Sequence, residues 1–214
     1  MIRRVAAALG ALLLACLLYL SWTVAEARAH VVADVDRVIA TADQANFAIP
    51  PRRVAMLLAV QDPGFWSGSG VALTGPDARM TTVAQSVGKK LFFRHFQPGL
   101  RKFPLMATTR FALVPKVSKP DILKAFLALA YFGSDAGRPV TGFADGARTW
   151  LGKPLATLTD REWIELVAML PAPDRLKGDR GRSERLERVR RIERLLAGHC
   201  RQQGVRDVTL EGCA

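Results

Sequence analysis

From Val5 to Ala25 the chain carries no charged side chain and is made mostly of Leu and Ala. About 20 apolar residues in a helix match the thickness of a bilayer's hydrocarbon core. Two arginines in the preceding Ile2-Arg3-Arg4 place the N-terminus on the cytoplasmic side. Residues 1–4 therefore read as a cytoplasmic tail and residues 5–25 as a transmembrane anchor. A cleaved signal peptide is the competing reading, because Ala25-Glu26-Ala27 and Ala27-Arg28-Ala29 both show a small-x-small cleavage pattern. The apolar run is longer than an ordinary signal core, which favours the anchor. Leu13-Leu14-Ala15-Cys16 faintly resembles a lipoprotein cleavage site, yet Leu17 to Trp22 continue the run past the cysteine. Each version carries the rest of the chain across the membrane.

With half of its 214 residues apolar, the chain is long enough for one domain with a core, and a second would not fit. Its formal charge of +12 is unevenly placed. Residues 1–78 balance, whereas Arg79 to Lys124 hold ten Lys/Arg against the single Asp121, a net +9. Residues 125–174 come to −2 and residues 175–214 to +5. Beside a membrane, such patches read first as sites for anionic headgroups or phosphate-bearing ligands. Nucleic acid is the other usual partner of a basic chain, but an exported, anchored domain does not meet it. His30, His95 and His199 are scattered without metal-ligand spacing. Cys16 lies in the span, while Cys200 and Cys213 are near enough in sequence to pair in an oxidising compartment.

Apolar spacing at Val32, Val35, Val38, Ile39 and Ala42 predicts a helix over Val31–Ala45, broken by Pro50-Pro51. Arg53–Val60 reads as a buried helix that delivers Gln61-Asp62 at its end, with a Pro/Gly-rich loop from Pro63 to Pro76. Thr81–Phe93 is a predicted helix with Thr81 or Thr82 near its N-cap. Residues 119–132 form another, opened by Lys119-Pro120 and stopped by Gly133. Ala144–Leu151, Thr159–Leu170 and Ser183–Leu196 complete a mainly α domain with few extended pieces. The last helix, with Ser183 as cap, places Leu186, Val189, Ile192 and Leu195 on one face and arginines elsewhere, the pattern of a solvated amphipathic helix.

Five blocks in order, from about Arg52 to Gly204, resemble the glycosyltransferase domain of class A penicillin-binding proteins and the monofunctional transglycosylases. The family's Glu-Asp-x-x-Phe-x-x-His-x-Gly stands here as Gln61-Asp62-Pro63-Gly64-Phe65-Trp66-Ser67-Gly68-Ser69-Gly70, so Gln61 replaces the catalytic Glu and Gly68 the His. Its Gly-x-Ser-Thr-x-Thr-Gln-Gln-x-x-Lys-Asn is matched at Thr82, Gln85 and Lys89 of the stretch Arg79 to Lys90. Arg-Lys-x-x-Glu becomes Arg101-Lys102-Phe103-Pro104-Leu105, again without its glutamate. A fourth block starts at Lys119, where Lys124, Phe126 and Ala128 replace Glu, Tyr and Asn. A fifth runs from Gly142 to Lys153 and from Leu158 to Pro173 and keeps Glu162.

The resemblance implies a lysozyme-like helical domain over residues 31–204, a C-terminal tail over 205–214, and a place on the periplasmic side of the bacterial cytoplasmic membrane. The family's reaction joins the sugar 4-hydroxyl of one lipid II to the anomeric carbon of a growing glycan and expels a polyprenyl pyrophosphate. A base must take the hydroxyl proton, and cations must hold the leaving group. By position, Lys89, Arg101, Lys102 and Lys119 are expected to hold pyrophosphate, with Thr82 and Gln85 adding neutral hydrogen bonds. The base is missing at Gln61 and the second acid at Leu105. Asp62 remains, but successive helical residues point about 100° apart, which suits it to capping rather than to replacing the base. The expectation is a catalytically inactive domain that binds lipid II, nascent glycan or peptidoglycan synthases. A divergent enzyme using Asp62 and a purely structural module are the rivals, and a divalent cation, Mg²⁺ or Mn²⁺, is implied only if turnover persists.

Overall fold

The computed structural model describes residues 1–75, 77–97 and 99–214. A single helix, α1 (Ile2–Thr41), contains both the apolar run and the segment beyond it. No residue of its most apolar 18-residue window is buried in the protein. Farther along, Ala27, Val31 and Val35 are buried. These positions repeat every four residues, so one stripe of the helix enters the core while the preceding turns stay bare. The expected helix over Val31–Ala45 thus ends early, at Thr41. Asp43 accepts a hydrogen bond from the Ala45 N–H at 2.9 Å, a local turn that competes with further helix, and a 3₁₀ turn follows over Gln44–Phe47.

The remainder wraps around α6 (Lys119–Leu129), whose residues Ile122, Leu123 and Ala125–Ala128 are all buried. Of the other helices, α1 and α3 (Val83–Phe92) pack directly on it, and α2 (Pro51–Gln61), α4 (Lys102–Thr108), α7 (Phe143–Leu151), α8 (Asp160–Met169) and α10 (Arg182–Leu196) pack on these or on one another to complete one helical body. The sequence assigns no element between Phe93 and Lys119, but α4 continues there into a π-helical turn (Thr109–Leu113) and α5 (Val114–Lys116). Pro104 hides that helix from a sequence reading. It sits in the first turn, where its missing N–H has no intrahelical partner to lose. Gly88 lets α3 lie on α4, because an added Cβ would stand 3.0 Å from Thr109 Oγ1 and 3.3 Å from Leu105 Cδ1.

Other boundaries differ from expectation as well. The helix predicted over 119–132 stops at Leu129, and β1 (Tyr131–Asp135) pairs antiparallel with β2 (Arg138–Thr141). Ala136 and Gly137, with φ of 46° and 80°, turn the hairpin; positive φ at both central residues matches the strands' twist, and an Ala there gives no sequence signal. Ser183 is not a cap, since α10 begins at Arg182 with Gly181 before it. Between β1 and α7, Phe143 stacks on Trp163 (centroids 4.9 Å) and meets Phe132 edge-on (5.0 Å). Gly146 gives the Phe132 ring its room, as a Cβ there would come within 2.8 Å of it. A short α9 (Pro173–Leu176) precedes α10, and the segment after Ala197 folds back on α10, closed by a Cys200–Cys213 disulfide.

Candidate functional site

The site forms where α2 ends and α3 begins. Gln61 closes α2; at Asp62 the backbone turns extended and the carboxylate Oδ2 accepts the Val83 N–H at 3.0 Å, which ties the two helix ends together. Asp62 is only 4% exposed, and burial raises its pKa against the opposing effects of that hydrogen bond, Lys119 and Arg79. Thr82 caps α3: its Oγ1 accepts the Gln85 N–H (3.1 Å) and donates to the Gly70 carbonyl (2.6 Å), while Gln85 Oε1 accepts the Thr82 N–H (3.0 Å). Both side chains are buried in a reciprocal capping box and turned into the fold. They do not line the cleft as the expected ligand contacts would.

The cleft has two lobes that share Gln61, Ser86, Lys89 and Leu170. One, about 250 Å³, is walled by Lys90, Phe126 and Tyr131. The other, about 280 Å³, is walled by Arg79, Thr81, Arg188, Gln202 and Val208. Lys89 stands in both, donating to Thr81 Oγ1 at 3.2 Å with its ammonium 5.3 Å from the Phe96 ring centroid. Burial, then Lys102 and Lys90, pushes its pKa below the ordinary lysine value. Lys102 lies at the rim, 3.2 Å from Met80 Sδ. Among the described residues none of Arg79, Lys89, Lys102 or Arg188 has a carboxylate ion-pair partner. Asp77 and Asp62 act on Arg79, and Asp207 and Glu211 on Arg188, only at longer range, so the partly dry cleft keeps an excess of positive charge.

Three other expected residues lie elsewhere. Arg101 is exposed and bonds the His95 carbonyl. Lys119 donates to the carbonyls of Phe65 (2.7 Å) and Gly68 (2.5 Å) and shares a separate pocket with Asp62, so it braces the loop after α2. Leu105 is 1% exposed and packs beneath α3; the position that bears a glutamate in the family's third motif is part of the core here. The residues missed at sequence level are Ser86, Tyr131, Arg79 and Arg188. Arg79 had a signal in the family pattern, which has Gly where this chain has Arg. Arg188 had one in its spacing: with Arg185, Val189 and Ile192 it shares the buried side of α10.

Gln61 offers an amide that donates and accepts hydrogen bonds but cannot take a proton at neutral pH. Among the described residues no carboxylate lines either lobe. Among the described residues no group of three or more His, Cys, Asp or Glu could hold a metal ion, so the side chains present do not fit a protein-held Mg²⁺ or Mn²⁺.

A mainly helical domain on a long apolar N-terminal helix, with a cationic cleft at the α2–α3 junction, defines the class. The chain belongs to the transglycosylase family, whose model matches residues 30–197. It is 33% identical over 100 residues to a biosynthetic peptidoglycan transglycosylase of Mannheimia succiniciproducens, which covers 47% of this chain and 39% of that protein. A protein of the same name from Pasteurella multocida is 33% identical over 93 residues, covering 44% of this chain and 36% of its own. The matched stretch therefore spans well under half the length of these relatives.

Proposed function

We propose that the chain is a membrane-anchored, catalytically silent member of its family that binds lipid II or nascent glycan, alone or beside peptidoglycan synthases, on the periplasmic side of the bacterial cytoplasmic membrane. The observation that carries this reading is the lining of the cleft: cations and amides surround the place of the motif's first acid, and no carboxylate is among them. Absence of a positioned general base costs about 10² to 10⁴ in rate, or roughly 3 to 5 kcal/mol of barrier. The apolar part of α1, exposed along its length, supports the anchor.

The test is lipid II polymerisation measured beside lipid II binding on the purified full chain. Saturable binding without glycan product is expected; strand growth by the unmodified chain would refute the silence, and absence of binding would leave a structural module. Gln61→Glu is the informative reversion, because it restores an acid in the cleft. Adding Leu105→Glu would bury a carboxylate in the core at a cost of several kcal/mol, so the double variant tests folding more than chemistry.

One observation favours the rival, a divergent enzyme: Asp62 has the raised pKa that suits a base. Its Oδ2 is occupied by the Val83 N–H and it opens to the pocket of Lys119, not to either lobe. If strand growth is detected, the rival requires that Asp62→Asn abolish it; growth that survives the substitution removes Asp62 as the base.

A further inference from the structure

A separate cavity of about 360 Å³ lies away from the cleft, where α1 leaves its apolar run and meets the domain. One wall is a stripe of α1 with Tyr19, Trp22, Glu26, His30 and Asp34, three or four residues apart and therefore on one face. The facing wall is aromatic and apolar, with Phe92 and Phe93 at the end of α3 and Pro104 of α4.

The chemistry changes along the stripe. Tyr19 and Trp22, with ring centroids 6.5 Å apart, are both more than half exposed at the end of the apolar run. With that run in a bilayer, aromatic rings with a polar tip lie at the level of the headgroups. Glu26 follows one turn on, about 6 Å farther along the axis, and is the first charged side chain after Arg4. Its carboxylate thus stands where the charged part of a phospholipid headgroup lies.

The charge of this cavity runs against that of the chain. In a protein of formal charge +12, the lining among the described residues has two carboxylates and an imidazole but no Lys or Arg, the reverse of the cleft. Asp34 shares its charge with Arg37 at 2.9 Å, whereas Glu26 has no ion-pair partner among the described residues. The acidic end therefore repels an anionic headgroup and attracts an ammonium. A carboxylate accepts hydrogen bonds, and a primary ammonium brings three N–H donors where a trimethylated one brings none.

We propose that this groove binds a phospholipid with a primary-amine headgroup. The ammonium sits on Glu26, and the indole N–H of Trp22, one turn nearer the apolar run, donates to the adjoining phosphate. The acyl chains lie along Tyr19 and the exposed apolar turns before it. The proposal goes beyond the cleft and rests only on the anchor part of the reading above. A lipid suits the groove better than a second helix does, because its apolar end is continuous with the exposed run and its acidic end matches a positive charge at headgroup height.

The experiment is native mass spectrometry of the full chain with phosphatidylethanolamine, phosphatidylcholine and phosphatidylglycerol of the same acyl chains, beside flotation with vesicles of each. Retention of the ethanolamine lipid about tenfold above the choline lipid is expected, the size of one charge-assisted hydrogen bond. Glu26→Gln should erase most of that preference, while Asp36→Asn, on an exposed part of α1 outside the groove, should keep it. Equal retention of the two lipids, a preference for the glycerol lipid, or a preference that survives Glu26→Gln overturns the proposal. A dimer that retains no lipid assigns the groove to a second copy and overturns it too. Flotation with all three vesicles without selective retention removes the groove and leaves the anchor, whereas flotation with none removes both.

Discussion

Lys89 is the side chain on which the proposed ligand binding and protonation meet, since it lines both lobes and burial disfavours its charge. Between its lowered pKa and the ordinary 10.5 the unfolded chain holds the proton more tightly, so folding stability should rise with pH across that window. Affinity for an anion runs the other way: it should fall as pH rises through the lowered value, because the neutral amine attracts nothing. Lipid II suits this measurement, as its diphosphate diester stays ionised throughout. Lys89→Arg should abolish the fall, the guanidinium remaining charged. Lys89 was legible from its motif. Thr82, Gln85 and Lys119 matched motifs equally well, yet the fold directs their hydrogen bonds inward, because helix starts and loop carbonyls need donors and acceptors whatever the ligand.

At the scale of elements, the helices around the cleft are held by caps and by an ion pair whose arginine is buried. Arg185 is 5% exposed; its Nε donates to Glu165 Oε1 at 2.8 Å and its Nη1 to the Leu176 and Gly178 carbonyls, joining α8, α9 and α10. Removing the arginine strands Glu165, whose side chain keeps some access to water, and three hydrogen bonds, so Arg185→Ala should cost about 1 to 3 kcal/mol in denaturant unfolding. The capping box of α8 behaves differently. Lys153, then the Thr159 N–H, holds the Glu162 pKa near about 2, so its contribution is present above the ordinary 4.5 and lost as pH falls toward 2. Glu162→Gln keeps an acceptor for the cap and should flatten that acid-side loss in thermal melts across the same range. A capping signal made α3 legible, whereas α4 and the hairpin were not, since Pro104 and Ala136 are atypical at positions that the neighbouring elements enforce.

For the whole molecule, α1 divides between an exposed apolar run long enough to cross a membrane and a stripe buried in the core. A chain starting at residue 26 keeps Ala27, Val31 and Val35 and should melt near the full-length temperature, while one starting at residue 40 loses that stripe and should not fold cooperatively. Replacing Cys200 and Cys213 by Ser should lower stability by about 3 kcal/mol and expose segment 198–214 to hydrogen exchange. Mainly helical architecture, the apolar run, the concentrations of positive charge and the loss of both family glutamates follow from sequence, because periodicity, hydropathy and residue type are local properties that any fold must respect. Which cations share a lobe is not local. Lys119 turns away and Arg188 turns in because packing and hydrogen-bond satisfaction act between elements distant along the chain, and only their assembly brings Arg79, Lys89 and Arg188 around one space.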